Sequence, residues 1–265
     1  MGESPEGVPR LACFELWGGN SKAAHPIELP GLLGWVSSTP FGDSRSGGDV
    51  HYFSVCSKGQ VSRIALADVA GHGAHASSVA ERLRRILQHH TDNWDQSALM
   101  RELNEAFKQD AKGMQFATAV VLGFYYGTGE LLFTNAGHLP LLWHHAKTGV
   151  WDWLEDQTPY AKDVAGLPLG LISGTTYAQT AVELSPGDTL LLYTDGITES
   201  RNENGEELGH EGLLALVREL PADLPPVAFG HALAAGLKRF QGNGPQHDDE
   251  TLVLIQRQME TRQIA

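Results

Sequence analysis

Cysteine is almost missing from this 265-residue chain: Cys13 and Cys56 are the only two. Their spacing fits neither a metal site nor a redox pair, so they read as small apolar residues in a reducing compartment. Long apolar runs are missing too. No stretch approaches the roughly 18 apolar residues of a membrane span. Met1 to Arg10 is polar and rich in proline and glycine, without an apolar signal region. These absences lead us to expect a cytoplasmic protein with no membrane partner. Basic residues are few, 19 Lys and Arg against 32 Asp and Glu, giving a net charge of −13. That balance argues against nucleic acid as a partner, because phosphate backbones are held by basic patches. Neither a phosphate-cradling P-loop nor a His-Glu-x-x-His pattern occurs, so nucleotide binding lacks support and zinc proteolysis is out.

What is present centres on Ile64-Ala65-Leu66-Ala67-Asp68-Val69-Ala70-Gly71-His72-Gly73. The apolar run reads as a buried strand, and it ends at a carboxylate that is costly to bury unless paired or bound to a metal. Upstream, Gly47-Gly48-Asp49 opens a second strand-like run, Val50 to Cys56. Ser57-Lys58-Gly59-Gln60 between them is a hairpin signal. Counting outward from Lys58-Gly59 brings Asp49 opposite Asp68. Residues paired across antiparallel strands have Cβ atoms roughly 4.5–5.5 Å apart. Carboxylates that close repel unless a proton or cation lies between them. The other reading of the same residues is two loop aspartates in water with no shared partner.

The chain reads in order as follows. Leu11 to Trp17 is a strand closed by Gly18-Gly19-Asn20, and Leu32 to Ser38 is another. Pro40 to Ser46 is a loop in which Arg45 reads as a solvated cation. His75 to His90 is a helix with Val79, Leu83, Ile86 and Leu87 on one face. Asp95 to Asp110 repeats the pattern with Leu99, Leu103, Ala106 and Phe107. Strands follow at Phe116 to Tyr126, Glu130 to Thr134, Leu141 to Trp143, Val150 to Leu154 and Ala178 to Leu184. Glu155 to Gly166 is a polar loop, and Leu167 to Gly170 a structured turn beside the core. Thr189 to Thr194 is a buried strand that ends at Asp195-Gly196. Gly209 to Leu220 and Val227 to Phe240 are helices. Asp248-Asp249 immediately precedes the last strand, Thr251 to Ile255. Two strands thus end in an Asp (Asp68, Asp195) and two begin just after or at one (Asp49, Asp248). In an antiparallel arrangement all four could share one edge of the core, and four hard oxygen ligands suit magnesium or manganese. Chance placement of turn aspartates is the competing account.

Seven motifs stand in order: Gly47-Gly48-Asp49, Ala67 to Gly73, Asn135-Ala136-Gly137-His138, Pro168-Leu169-Gly170, Pro186-Gly187-Asp188, Tyr193 to Glu199, and Asp248-Asp249-Glu250-Thr251. With them the chain, from about Leu32 to Arg257, resembles the bacterial branch of the metal-dependent protein phosphatases. That branch holds the sporulation protein E-like and sigma-B-regulator phosphatases, relatives of the type 2C enzymes. The resemblance implies an α+β fold, a four-layer α-β-β-α sandwich of two antiparallel sheets flanked by helix pairs. It implies a catalytic domain over residues 31–258, after an N-terminal extension (1–30) able to supply an edge strand and before a tail (259–265).

The resemblance also implies a site of two divalent cations, manganese or magnesium. In it Asp68 bridges both ions, Val69 offers its backbone carbonyl, Asp195 and Asp248 hold one ion, and Asp49 lies on the other side. Asp248 rather than Asp249 is chosen because the first Asp of that motif is the ligand. Asp68 and Asp195 are the catalytic residues. Many bacterial members carry a further Asp shortly after Gly-Gly-Asp, where Val50-His51-Tyr52 stand here. His72 and His138 read as imidazoles that hold their turns. The implied activity is hydrolysis of phosphoserine or phosphothreonine by a metal-bridging hydroxide, with no phospho-enzyme. The implied substrate is a bacterial regulatory phosphoprotein such as a small anti-sigma-factor antagonist, which places the chain in signal transduction. Two alternatives stand beside it: a non-catalytic binding module of the same fold, and a hydrolase of small phosphate esters.

Overall fold

The computed structural model describes residues 16–56, 60–71, 73–89, 95–109, 115–154, 166–221 and 223–259. In chain order the elements are β1 (Leu16–Ser21), β2 (Ala23–Leu29), β3 (Leu32–Thr39), β4 (Ser46–Cys56), β5 (Val61–Val69), α1 (Gly73–His89), α2 (Gln96–Gln109), β6 (Ala117–Tyr125), β7 (Glu130–Ala136), β8 (Leu141–His145), β9 (Val150–Leu154), β10 (Gln179–Glu183), β11 (Thr189–Tyr193), α3 (Asp195–Thr198), α4 (Gly209–Glu219), α5 (Pro226–Gln241) and β12 (Glu250–Arg257). They form two six-stranded sheets, β1-β4-β5-β6-β7-β10 and β2-β3-β12-β11-β8-β9. Every strand pairing is antiparallel.

Both faces of each sheet are covered, which explains why the central strands read as nearly continuous apolar runs. Side chains of a strand alternate between faces. Along β5, Ile64 and Leu66 enter the core between the sheets, while Ala65, Ala67 and Val69 face the layer built by α1 and α2. Small residues on that outer face let α1 approach closely. It buries Val79, Leu83, Ile86 and Leu87 there, and α2 buries Leu99, Leu103 and Phe107. The second sheet alternates likewise. Leu190, Leu192, Val253 and Ile255 fill the sandwich, and Leu191, Tyr193, Leu252 and Leu254 meet α4 and α5. The result is the four-layer α-β-β-α sandwich. Among the described residues no helix is long and apolar enough to cross a membrane.

Several elements differ from the sequence reading. β1 does not stop at Gly18 but runs through both glycines to Ser21. Residues 11–15 lie outside the described part. Gly18 packs so close to the His51 carbonyl that a Cβ would fall on it, so the glycine permits the strand rather than ending it. β2 lies in the N-terminal extension to which the resemblance assigns an edge strand, at a place that the residues alone do not mark, since Pro26 lowers its strand signal. It is an edge strand, where a missing N–H is tolerated. The four-residue α3 was missed; it is one turn long and carries no periodicity to read. The hairpin turn at Ser57, Lys58 and Gly59, the break at 91–94 and most of the 155–166 loop lie outside the described residues.

Candidate metal centre

One end of the sandwich collects the carboxylates. β4 and β5 pair so that Asp49 stands directly opposite Asp68, the register obtained by counting from the hairpin turn. Alternation along both strands turns the two side chains toward the interior of the sandwich, beside Phe53 and Leu66. Asp195 opens α3 immediately after β11 and lies within hydrogen-bonding reach of Asp68. The charge of Asp248, at the entry to β12, bears on both Asp68 and Asp195. Asp49, Asp68, Asp195 and Asp248 therefore come together from four separate elements.

The electrostatics follow from that crowding. Burial, then the charges of Asp195, Asp248 and Asp249, pushes Asp68 up to about 8. Burial followed by the neighbouring Asp68 charge raises Asp49 well above its ordinary value. Asp195 is raised by burial and then by Glu199. Without a cation, this end of the molecule keeps protons that carboxylates ordinarily lose.

Behind the carboxylates lies a rigid support. Thr194 is fully buried; its Oγ1 donates to Asp49 Oδ2 at 2.7 Å and accepts the Thr251 backbone N–H at 3.0 Å. Thr251 Oγ1 shares a hydrogen bond of 3.0 Å with Ser38. Asp249 is buried, and its carboxylate accepts the Phe41 N–H at 2.7 Å and the Gly48 N–H at 2.6 Å. It thus clips the loop before β4 to the start of β12. This clip explains the Gly-Gly pair: a Cβ on Gly47 would occupy the space of the Asp249 carboxylate. A Cβ on Gly48 would come within 3.0 Å of the Val69 carbonyl oxygen and 3.3 Å of that of Gly71. Gly196 is required as well, since a Cβ there would fall on the Asp249 carbonyl. Asn20 completes the frame, donating to the Gly47 carbonyl at 3.0 Å and to Ser77 of α1 at 3.1 Å.

Sequence reasoning placed Asp49, Asp68, Asp195, Asp248 and Val69 in one site, and the structure brings the four aspartates to one end. Val69 continues β5 beyond Asp68, with its side chain in the α1–α2 layer and its carbonyl beside Gly48. The reasoning missed Thr194, Thr251 and Asp249. The signal was available in the threonines of Tyr-Thr-Asp-Gly and Asp-Asp-Glu-Thr, which are polar residues inside apolar strands. Asp248 and Asp249 take different places. Asp249 turns into the fold, whereas Asp248 is half-exposed, with its Oδ1 accepting the Asp249 N–H at 2.8 Å. His138 holds its turn: its N–H meets Asn135 Oδ1 at 2.7 Å and its Nδ1 meets Thr118 Oγ1 at 3.0 Å. Asp188 likewise ties a turn, accepting from Ala146 N–H and Ser185 N–H. Arg45 is exposed. His72 lies outside the described residues.

The donor set fits hard divalent cations. It consists of carboxylate oxygens and a backbone carbonyl, and burial with like-charge repulsion at Asp49 and Asp68 makes a positive charge favourable there. Among the described residues no three acidic, histidine or cysteine side chains converge on one point at metal-ligand spacing.

Two helix-flanked antiparallel sheets with carboxylates gathered at one end define the fold class of the PP2C-type phosphatase domains. The Stage II sporulation protein E (SpoIIE) family matches residues 58–258, and the chain belongs to that family. Among curated proteins, it is 26% identical to the phosphoserine phosphatase RsbU of Bacillus subtilis over 220 residues, 80% of this chain and 60% of RsbU. The chain thus spans about 60% of that relative, and 45% of the phosphoserine phosphatase RsbP of the same organism. Among solved structures, the RsbU and RsbW domains of Rv1364c from Mycobacterium tuberculosis superpose with a TM-score of 0.73 at 24% identity, covering 91% of this chain and 64% of that one. The SiaA PP2C domain of Pseudomonas aeruginosa gives 0.71 at 21%, covering 84% and 85%. A more distant neighbour, the catalytic domain of the serine/threonine phosphatase PstP, was solved with 2 manganese ions (TM-score 0.55, 18% identity, 85% and 97% covered).

Proposed function

We propose that this chain is a metal-dependent serine/threonine protein phosphatase. The observation that carries the reading is the meeting of four aspartates from four elements around the buried Asp49 and Asp68, with Asp68 pushed up to about 8. Structural ion-pair networks would provide a basic partner for such a group; here the charges that act on Asp68 are those of Asp195, Asp248 and Asp249. Asp68, Asp195, Asp248, Asp49 and the Val69 carbonyl would hold two divalent cations, manganese or magnesium, with Asp68 between them. Bound cations of this kind lower the pKa of water and neutralise phosphoryl oxygens.

The chain's own residues favour hydrolysis without a phospho-enzyme. Thr194, the hydroxyl hydrogen-bonded to Asp49, is buried and occupied both as donor and as acceptor, so it is not free to attack phosphorus. Asp49 is fixed by Thr194 and Thr251, and Asp195 by its position at the start of α3. Preorganisation of this sort is what positions reacting groups. The name of RsbU as a phosphoserine phosphatase, together with the family resemblance, supports a phosphoprotein substrate. The substrate class we infer is a small anti-sigma-factor antagonist in a bacterial signalling pathway.

The test is phosphate release from a generic aryl phosphate and from a phosphoserine peptide, with and without manganese, beside Asp195→Asn. Manganese-dependent turnover that falls at least about a hundredfold in the variant, with an unchanged circular dichroism spectrum, is expected. A wild type that binds manganese yet releases no phosphate from either compound would favour the binding module. Turnover of the aryl phosphate alone would favour a hydrolase of small esters.

A further inference from the structure

Next to the acidic end, on the helix-covered face of the second sheet, lies a pocket of about 390 Å³ that the metal centre does not use. Its floor consists of two β3–β12 rungs, Thr39 opposite Glu250 and Ser37 opposite Leu252. α5 supplies one wall through Leu237 and Gln241, with the exposed Lys238 at the rim, and Ile197 of α3 adds a second apolar surface. Glu250 is the sole carboxylate of this lining. One of its oxygens, Oε1, accepts from Gln241 Nε2 at 2.7 Å. Among the described residues no basic side chain pairs with Glu250.

A pocket of mixed lining, with Ile197, Leu237 and Leu252 as its apolar surfaces and one carboxylate in its floor, suits a long basic side chain. The methylene stem would lie along Ile197, Leu237 and Leu252 while the head reaches Glu250. Charge-assisted hydrogen bonds of that kind are about twice as strong as neutral ones. The location is suited to a substrate. Glu250 follows Asp248 by two residues, at most ~7 Å of extended chain, a gap that a bound peptide crosses in roughly two to four residues. Gln246 joins the two places, its Nε2 donating to the Thr39 carbonyl at 3.0 Å and to the Asp248 carbonyl at 2.8 Å. The molecule carries −13 overall, so a phosphorylated segment approaches against repulsion that a neighbouring basic residue would lessen.

We propose that this pocket receives an arginine or lysine side chain of the phosphoprotein substrate, placed a few residues from the phosphorylated one. The proposal rests on the phosphatase reading for its substrate and selects among phosphoproteins by their basic neighbours.

The test has two arms. Aryl phosphate hydrolysis with manganese examines the phosphatase reading and makes no use of the pocket. Fluorescence anisotropy with manganese present then measures binding of labelled peptides that carry a non-hydrolysable phosphonate analogue of phosphoserine, with arginine or its uncharged analogue citrulline two, three or four residues away. At one of these spacings the arginine peptide should bind at least about tenfold more tightly than the citrulline peptide. Glu250→Gln should erase that ratio. Lys238→Glu, an exposed change that leaves the core intact, should raise it. Equal affinity for arginine and citrulline peptides at every spacing overturns the pocket proposal, whatever the first arm gives. So does a ratio that neither variant moves.

Discussion

At the scale of single residues, Asp68 and Asp249 show two opposite uses of a buried carboxylate. Asp249 is satisfied by two backbone N–H groups and holds the frame together. Asp249→Ala would leave both donors without their acceptor, at about 1–3 kcal/mol each. Denaturant unfolding should show a loss of at least about 2 kcal/mol; a change under about 0.5 kcal/mol would contradict the clip. Asp68 is instead surrounded by other carboxylates, and its folded-state value of about 8 lies far above the ordinary 3.8. Between those two values the folded chain holds a proton that the unfolded chain has lost. Stability from this group therefore falls as pH rises and is fully lost above about 8. Buried His51 and His138, both pushed down to about 4, act in the opposite direction, but only below their ordinary 6.5. The window from about pH 6.5 to about 8 thus isolates the carboxylates. In metal-free buffer the wild-type Tm should drop across that window, and Asp68→Asn should drop less and end higher. A wild-type Tm that rises with pH there would contradict the account.

At the scale of elements, close packing overrides local propensity. α5 starts at Pro226 after Pro225, a start that a fixed φ favours, and it buries Phe229, Gly230, Leu233 and Leu237 at helical spacing. Gly230 lies mid-helix, where propensity alone favours alanine by about 1 kcal/mol. A Cβ there would press into the ring of Trp35, which is buried on β3 and meets His231 edge-on at 5.4 Å. Gly230→Ala should therefore destabilise the chain, by about 1–3 kcal/mol as overpacking does. A stabilised variant would show that Trp35 yields freely. The same conflict accounts for the elements that the sequence concealed. Glycine in β1 and proline in β2 lower strand propensity, and only their edge positions and close neighbours make those residues acceptable.

At the scale of the molecule, much of the site was legible because hairpin geometry is local. Asp49 and Asp68 belong to one hairpin, so counting residues was enough to pair them. That Asp195 and Asp248 join them depends on which strand enters which sheet. β10 extends the first sheet while β9 and β11, on either side of it in the chain, lie in the second. Such long-range choices leave no periodic trace, and there the motif order of a family supplied what spacing could not. Asp249 was hidden for a different reason: neighbouring residues on a strand entry point to opposite sides, so its partners lie about 200 residues away, at Phe41 and Gly48.

The central claim is that the acidic end of the sandwich is built to be completed by divalent cations. Calorimetric titration of manganese into the metal-free protein tests it most directly, run in two buffers of different ionisation enthalpy. The account predicts binding to wild type accompanied by proton release near neutral pH, because the ions displace protons held by the raised carboxylates. Asp68→Asn should lose most of the affinity and most of the released protons. Absence of binding in the wild type, or undiminished binding in Asp68→Asn, would contradict the claim.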